Sequence, residues 1–451
     1  MMFTVSPGTV PTPELAAVFV KKHNNNEVPR LKKLKDYYKG NHDILGRVKD
    51  VGLSNNKIVV NHASYIADIS SGYLTGIPTG YKSEENIETL TETLRRAEAS
   101  VQDTDLASDL AIAGRAFELI YMDNGEPARP KLAKADFLGA FVVYDNTVQH
   151  GEMFGVTYSP DYDIDDRLRG YDCVLYTDSY RQSFRLDTSF GFMGAEEPQE
   201  HFFGLVPLCE YWNNAYCSGD FEGVLSLIDA YNLLASDRVN DKEQFVNSLL
   251  VIIGQVFGDD DKEKSETYQA VVRKKFLELA EGSKAEFLTR QFSEEEVEIL
   301  RKAIKEDIHT ISKVPDISDS NFAGNVSGVA MAYKLLAFEM LARTKERFFK
   351  EGLRYRLKCL ANVLAIQGVR IDADNITITM KRSLPVNNAE LAEMIATLEG
   401  RVSEETLISL LSFVEDAGKE REKILAEQKE KSQVQDDLFG LHSDGDGLNE
   451  E

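Results

Sequence analysis

The residues whose type and spacing suit chemistry are few, and none completes a known reactive arrangement. Gly324-Asn325-Val326-Ser327-Gly328 is close to a nucleophile elbow, but its serine lies one position away from the Gly-x-Ser-x-Gly pattern. The chain has no Gly-x-x-x-x-Gly-Lys-[Ser/Thr] run, the loop that cradles the phosphates of ATP. The sequence therefore predicts neither a serine nucleophile nor ATP hydrolysis.

Two acidic runs raise the question of a metal site. Asp259-Asp260-Asp261 and Asp444-Gly445-Asp446-Gly447 both lack the alternating ligands and the distal glutamate of a calcium loop. No Cys-x-x-Cys pair occurs among the four cysteines, which are Cys173, Cys209, Cys217 and Cys359. We expect buried thiols there rather than metal ligands. The sequence thus predicts no metal, no cofactor and no enzymatic activity.

Charge and composition restrict the possible partners. The formal net charge is −24 and the pI is about 4.8, which argues against a protein that grips nucleic acid, because phosphate binding needs clustered Lys and Arg. A repulsive surface remains compatible with DNA that slides past it. We see no signal peptide and no apolar run of the ~20 residues that a membrane helix needs, so we expect a soluble chain made in the cytoplasm.

The elements that must position these residues predict an α+β fold. Two helices fill 84–113, a mostly antiparallel β region fills 137–212, and Asp220 is an N-cap for a helix that runs to about Val246. A capping-box-like start at Ser293 opens a second helix. After a loop, apolar spacing predicts a helix from Val329 to about Gln367, roughly 55–60 Å long. Ile376–Met380 then reads as a strand, with further helices starting at Asn388 and Ser403.

Several motifs occur in one order along the chain and resemble portal proteins of long-tailed phages that infect Gram-positive bacteria. They run from Tyr37-Tyr38-x-Gly40-x-His42 through Asn61-x-x-x-Tyr65-Ile66-x-Asp68 to Gly114-x-Ala116-Phe117-Glu118. The series continues with Asn213-Asn214, Gly219-Asp220, Asp229-Ala230-Tyr231-Asn232 and Asn321-Phe322-x-Gly324-Asn325-x-Ser327-Gly328. The collinear match spans roughly residues 28–385, and its specificity lies in the order of the motifs.

The resemblance implies a ring subunit with wing, stem, clip and crown parts, and long helices that line and brace a central channel. It divides the chain into an N-terminal arm (1–30), an α/β wing (31–219), a stem helix (220–247), a clip (248–293), a second stem helix (294–312), a tunnel loop (313–328), a long helix and strand returning to the wing (329–385), a helical crown (386–432) and a disordered acidic tail (433–451).

The resemblance also assigns roles to two groups of residues. The tunnel loop would touch DNA through Lys313, Asp316, Ser318, Asp319, Ser320, Asn321, Asn325 and Ser327, with Pro315, Gly324 and Gly328 as hinges. Most of these offer weak, uncharged hydrogen bonds, which predicts many interchangeable contacts. Candidates for docking on the clip are Asp259, Asp260, Asp261, Arg273, Lys274 and Lys275.

Charge is unevenly placed along the predicted helices. Residues 220–247 carry six acids and two bases, and residues 294–331 carry eight acids and four bases, so a repulsive channel wall is a natural hypothesis. The run from Lys334 to Lys358 instead holds eight bases and three acids. We expect its bases to pair with acidic groups of neighbouring subunits or parts rather than with DNA. They include Arg343, Lys345, Arg347, Arg354 and Arg356.

The implied partners follow from the same resemblance. About twelve copies would close a homo-oligomeric ring at the portal vertex of the virion, around double-stranded DNA bound without sequence preference. The terminase large subunit would dock on the clip, a head-completion or adaptor protein would replace it, and scaffolding and major capsid proteins would surround the ring. Two alternatives remain: a capsid-internal structural or scaffolding protein without a channel, and a phage metal-dependent nuclease that uses the acidic runs.

Overall fold

The computed structural model describes residues 2–50, 53–246, 249–253, 284–288, 294–317, 328–382, 388–411 and 417–440, together with residues 265, 282 and 414. Across these ranges, no helix combines the length and the apolar character that crossing a membrane requires. The contacts divide the chain into two compact units. Unit 1 comprises Met1–Lys32, Ala67–Asp220 and Val314–Glu451, and unit 2 comprises Lys33–Ile66 and Phe221–Lys313.

The α-helices of the described ranges differ widely in length, from six to 39 residues. In chain order they are α1 (Pro13–Asn26), α2 (Val28–Tyr38), α3 (His62–Thr75), α4 (Glu88–Arg96), α5 (Ala99–Ala113), α6 (Leu225–Val246), α7 (Glu294–Ser312), α8 (Gly328–Ile366), α9 (Asn388–Leu398), α10 (Glu404–Ser409) and α11 (Ala417–Gly440).

The strands of the described ranges are mostly short and concentrated in the first half of the chain. They are β1 (Phe3–Val5), β2 (Gly80–Lys82), β3 (Arg115–Met122), β4 (Pro130–Ala135), β5 (Ala140–Asp145), β6 (Glu152–Tyr162), β7 (Leu168–Tyr176), β8 (Tyr180–Leu186), β9 (Phe192–Ala195), β10 (Gln199–Glu200), β11 (Leu208–Trp212), β12 (Leu249–Ile253), β13 (Lys284–Leu288) and β14 (Thr377–Thr379).

The larger sheet of unit 1 has the order β1-β5-β6-β7-β8-β10, with β9 also paired to β8. Every pairing is antiparallel except that of β1 with β5. Helix α1 begins at the N-cap Thr12, whose side chain accepts from the Leu15 amide. Its apolar face, with Phe19 and Val20 buried, joins the sheet residues Phe141 and Phe154 in one core.

A second core of unit 1 lies where α8 meets α5 and the three-stranded sheet β11-β3-β4. Phe349, Leu353 and Leu357 of α8 are completely buried. Gly352 lies against the ring of Tyr211, and a Cβ at this position would come within 2.3 Å of that ring. Only glycine therefore lets α8 approach β11 this closely.

Unit 2 contains the helix pair α6 and α7, which pack against each other. Glu298 of α7 accepts from Arg238 of α6 at 2.9 Å and from Arg301 of its own helix at 2.6 Å. Strands β12 and β13 pair antiparallel in the same unit, from Leu249↔Leu288 to Ile253↔Lys284. The end of β12 and the start of β13, which flank the segment between them, therefore lie side by side.

Most element predictions are confirmed. The fold is α+β, α4 and α5 fill the predicted helical region, and residues 137–212 are mainly antiparallel strands. The predicted long helix is α8, whose 39 residues span about 58 Å at the α-helical rise. The N-cap Ser403 accepts from the Thr406 amide, as its position before α10 requires.

Two boundary predictions differ from the structure. Residues 1–30, expected to form an arm, contribute β1 and α1 to a buried core of unit 1. The tail expected to be disordered from residue 433 instead continues α11 to Gly440. Short polar stretches such as Asn24-Asn25-Asn26 do not reveal a helix that draws its stability from packing.

Candidate functional site

An extended segment of unit 2 is bound along one face of α6 by a ladder of side-chain hydrogen bonds. The amides of Val60, Ile58 and Asn56 donate to the side chains of Asn232, Ser236 and Asn240, at 2.8, 2.9 and 2.6 Å. The three acceptors are buried and lie four residues apart. Four residues of α-helix rise about 6 Å and two residues of extended chain about 6.6 Å, so the two repeats stay in register over this length.

The motif residues around His42 close the end of this ladder. Asn232 donates to His42 Nδ1 at 2.8 Å, and His42 Nε2 donates to the Tyr37 carbonyl at 2.9 Å. Tyr37 stacks on the imidazole and donates to Asp229 at 2.6 Å. Burial and this carboxylate raise the pKa of Tyr37 well above its ordinary value. These residues form a structural junction in which the His42 ring connects α6 to the end of α2.

The acidic residues of the predicted first stem helix are largely bound within the chain. Asp229 accepts from Tyr37, and Asp237 forms ion pairs with Arg47 at 2.7 Å and Lys49 at 3.1 Å. Burial opposes the charge on Asp237, yet its two basic partners hold its pKa below the ordinary value. Asp229 and Asp237 are therefore engaged within unit 2, and the repulsive channel wall that the charge count indicated stays a prediction.

Asp220 does not act as the predicted N-cap. A short 3-10 turn, Glu222–Val224, precedes α6, and the Asp220 carboxylate binds Lys345 of α8 at 2.5 Å. Its other oxygen accepts from Asn213 at 2.8 Å, and Ser70 accepts from Lys345 at 2.7 Å. Both charged side chains are almost fully buried, so the carboxylate is used for a buried tertiary contact in unit 1.

A second buried ion cluster of unit 1 surrounds Arg356. Its guanidinium donates to both oxygens of Glu118, at 2.7 and 2.9 Å, and to Asp103 at 2.7 Å. Tyr211 donates to Glu118 at 2.9 Å. Burial opposes the charge of Arg356, but the two carboxylates outweigh it and raise its pKa well above the ordinary value. The cluster joins α8 to α5 and β3.

The basic residues of α8 thus have partners mainly inside the chain. Arg343 pairs with Glu339 at 2.9 Å, one helical turn away. Arg354 donates to the carbonyls of Ala373 and Ile376, at 2.8 and 3.2 Å. The side chain of Arg347 is exposed. The expectation that these bases serve protein contacts rather than DNA agrees with this geometry for the buried members.

The predicted tunnel loop begins where α7 ends. Lys313 is exposed and has a left-handed backbone with φ of 62°, a conformation that glycine usually supplies after a helix. Val314 is fully buried, Pro315 and Asp316 are half-buried, and α8 starts at Gly328. The remaining predicted contacts and the hinge lie outside the described residues. They are Ser318, Asp319, Ser320, Asn321, Asn325, Ser327 and Gly324.

The predicted docking residues also lie outside the described residues. They are Asp259, Asp260, Asp261, Arg273, Lys274 and Lys275. Within the ranges that the structure does describe, no group of three His, Cys, Asp or Glu side chains is arranged to hold a metal ion. All four cysteines are buried free thiols, as predicted.

Comparison with known proteins assigns the family. The sequence model of the family described as phage portal protein, SPP1 Gp6-like, matches residues 18–434. The chain belongs to this portal protein family. The portal motifs noted in the sequence therefore fall inside the matched region, and some of their residues, such as His42, Glu118 and Asp220, take part in the polar networks described above.

Individual relatives are distant. The portal protein of Clostridium phage phiCD119 is 24% identical over 242 residues, which is 53% of this chain and 52% of that protein. The portal protein of Bacillus phage SPP1 is 22% identical over 292 residues, 62% of this chain and 56% of that protein. The aligned part of the chain thus spans about half the length of these curated portal relatives.

Solved structures of similar chains come from a gene transfer agent. A chain from the virion of the native particle has a TM-score of 0.45 and 12% identity, covering 88% of this chain and 98% of that one. A chain from the neck of the native particle, computed with C12 symmetry, has a TM-score of 0.46 and 12% identity, covering 78% and 89%.

Sequence reasoning missed the side-chain ladder on α6. Its signal is present, because Asn232, Ser236 and Asn240 repeat every four residues on a helix whose other buried residues are apolar. Polar side chains at that spacing share one face, so a buried polar partner was predictable. The identity of the extended segment that binds this face was not predictable, because that segment lies some 180 residues earlier in the chain.

Proposed function

We propose that this chain is the ring subunit of a phage portal, the head-tail connector through which double-stranded DNA enters the capsid and later leaves it. About twelve copies close the homo-oligomeric ring by one repeated head-to-tail contact. The observation that carries the proposal is the match of the portal family model to residues 18–434. The two curated portal proteins that resemble the chain support it.

The long helix α8 is the strut of this proposed subunit. Its C-terminal half is anchored in the core of unit 1 by Phe349, Leu353 and the Arg356 cluster. Its N-terminus follows the loop 313–328, which we propose as the tunnel loop at the narrowest place in the channel. A rigid helix with a fixed far end holds such a loop at a constant position while the loop itself can change conformation.

Weak contacts explain how DNA can pass through the channel without being held at fixed positions along its sequence. The loop offers Asn and Ser side chains and only one base, Lys313, so it cannot release counterions from many phosphates at once. Two bases of α8, Lys345 and Arg356, are buried in contacts within the chain and are not available to DNA. We therefore propose binding to DNA that is non-sequence-specific, transient and interchangeable.

The portal subunit also serves as a docking platform. We propose that the terminase large subunit binds the clip, residues 248–293, during packaging and supplies ATP hydrolysis. A head-completion or adaptor protein then takes that place, and scaffolding and major capsid proteins surround the wing and crown. The pairing of β12 with β13 supports a clip that leaves and rejoins the subunit at one base. The subunit is structural rather than enzymatic, is assembled in the host cytoplasm and ends at the portal vertex of the virion.

Complementation of a phage that lacks the gene tests the proposal. Without the chain, heads should contain no packaged DNA, and the wild-type chain should restore filling. The variant Gly324→Pro stiffens the proposed tunnel loop and should restore particles with reduced DNA content. Gly445→Pro, in the acidic tail, is the control and should restore filling fully. Normal filling with Gly324→Pro would contradict the role of the loop, and normal filling without the chain would contradict the function.

A further inference from the structure

The N-terminal half of α8 has an apolar face that the rest of unit 1 does not cover. Tyr333, Leu336 and Met340 are 75%, 54% and 63% exposed. Their spacing of three and four residues places them on one side of the helix. Exposed apolar rows of this kind mark interaction surfaces on soluble proteins.

Basic residues continue the same side of α8. Arg343 and Arg347 are exposed and follow Met340 within two turns. Arg343 already pairs with Glu339, but this contact is on the surface and leaves the guanidinium 69% exposed. The face is therefore apolar in its first part and basic in its second part.

Helix α7 carries a second exposed face with the opposite charge. Ile299, Leu300 and Ile311 are 67%, 51% and 55% exposed. Glu306 and Asp307 lie between them on the same exposed side, together with one exposed base, Lys302. This face is apolar and mainly acidic.

We propose that the α7 face of one subunit packs against the α8 face of the next subunit in the ring, an inference that rests on the proposed function. The two faces match in length: Glu295 to Ile311 covers about 24 Å, and Tyr333 to Arg347 about 21 Å. Each brings an apolar row, so association removes both rows from water. The acids of α7 then meet the bases of α8.

The charges disfavour self-contacts centred on the charged part of either face. If α8 met its own copy there, Arg343 and Arg347 would face the same bases, and if α7 met its own copy there, Glu306 and Asp307 would face the same acids. Like charges opposed in an interface repel each other. Two unlike, complementary faces on one subunit are what a ring built by rotation requires, because its contacts are heterologous.

Cross-linking between single-cysteine faces tests the contact directly. The four native cysteines are buried, so Ile299→Cys and Met340→Cys each add one accessible thiol. With a short bis-maleimide, each variant alone should give no cross-linked dimer, whereas a ring assembled from an equal mixture should give dimers. Val148→Cys mixed with Ile164→Cys is the control, because both positions are fully exposed and lie outside the proposed faces. Absence of dimers from the first mixture, or dimers from either variant alone, would overturn the arrangement.

Charge reversal gives an independent measurement. Arg347→Glu should raise the subunit concentration at which half the chain is assembled by about tenfold or more, and Glu306→Arg should do the same. The double variant Arg347→Glu with Glu306→Arg should recover assembly, because the charges have exchanged places. Arg167→Glu, at an exposed turn of unit 1, is the matched control and should leave assembly unchanged.

The outcomes separate this contact from the function on which it rests. If wild-type rings form normally and neither charge reversal affects assembly, the proposed contact is wrong, but the portal function still stands. Reversals that leave the rings intact but change DNA filling would show that these faces line the channel. A wild-type chain that never forms rings would overturn the portal function itself.

Discussion

At the scale of single residues, the polar side chains that carry the family resemblance are buried connectors. His42 joins an amide side chain to a backbone carbonyl, and Glu118 and Asp220 each bind one base of α8. Within the described ranges they hold elements together. This part of the resemblance therefore falls on residues that fold the chain, whereas the residues proposed to meet DNA are serines, asparagines, two aspartates and one lysine.

The Arg356 cluster provides a stability prediction. Arg356→Met removes the guanidinium that binds both Glu118 and Asp103 in an almost fully buried site, so two buried carboxylates lose this partner. We expect a loss of about 3–5 kcal/mol, the effect of breaking a buried ion pair. Lys358→Met is the control on the same helix, because Lys358 pairs with Asp374 at the surface, and we expect a change of less than about 1 kcal/mol. The midpoint of thermal unfolding of both variants measures this, and equal midpoints would contradict the structural role of the cluster.

His23 provides a prediction about pH. Burial lowers its pKa from 6.5 to about 4, and its Nδ1 shares a hydrogen bond of 2.8 Å with the Tyr158 hydroxyl. As the pH falls, His23 binds a proton in the unfolded chain at a higher pH than in the folded chain. The free energy of unfolding is therefore unaffected by His23 above pH 6.5 and decreases as the pH drops towards 4. A difference of this size corresponds to about 3 kcal/mol.

Substitution isolates the contribution of His23. His23→Phe keeps an aromatic ring among Phe3, Phe141 and Tyr158 but cannot take up a proton. Between pH 6.5 and 4 the thermal midpoint of this variant should fall less than that of the wild type. His201, whose burial also lowers its pKa, is present in both proteins and cancels in the comparison. Parallel pH profiles would show that His23 does not contribute.

At the scale of elements, the ladder on α6 predicts a local change in hydrogen exchange. Ser236→Ala removes the acceptor of the Ile58 amide and should cost about 1–3 kcal/mol, because a buried donor loses its partner. The Ile58 amide should then exchange faster, as measured by hydrogen exchange of a peptide covering residues 53–61. Ser226→Ala, on the exposed side of the same helix, should leave that peptide unchanged. Equal exchange in the two variants would exclude the ladder.

The sequence predicted elements well where stability comes from a local pattern. Apolar spacing along α8 and the helix start at Ser403 are visible in a short window, and the structure confirms both. It predicted poorly where a partner lies far away in sequence. Asp220 satisfies the local rule for an N-cap, but a buried Lys345 offers its carboxylate a stronger partner. The arm at 1–30 likewise becomes part of a core only because β1 meets β5.

At the scale of the whole molecule, net charge alone does not describe the surface that the predicted channel wall would present. The chain carries a formal charge of −24, yet Asp220, Asp229 and Asp237 are all engaged by partners within the chain. A total charge describes solubility and long-range repulsion, whereas the surface presented at any place depends on which groups remain exposed. The exposed face of α7 is apolar and mainly acidic, whereas the exposed face of the first half of α8 is apolar and basic, and this difference leads to the proposed contact between subunits.

The central claim is that identical copies close into a ring around a hole that admits duplex DNA. Electron microscopy of the purified full chain tests it most directly, with top views classified by rotational order and the mass of the assembly measured on the same sample. The account predicts annular particles with an open centre and close to twelve copies. A chain that remains monomeric at high concentration, or that forms only particles without a central opening, would contradict it.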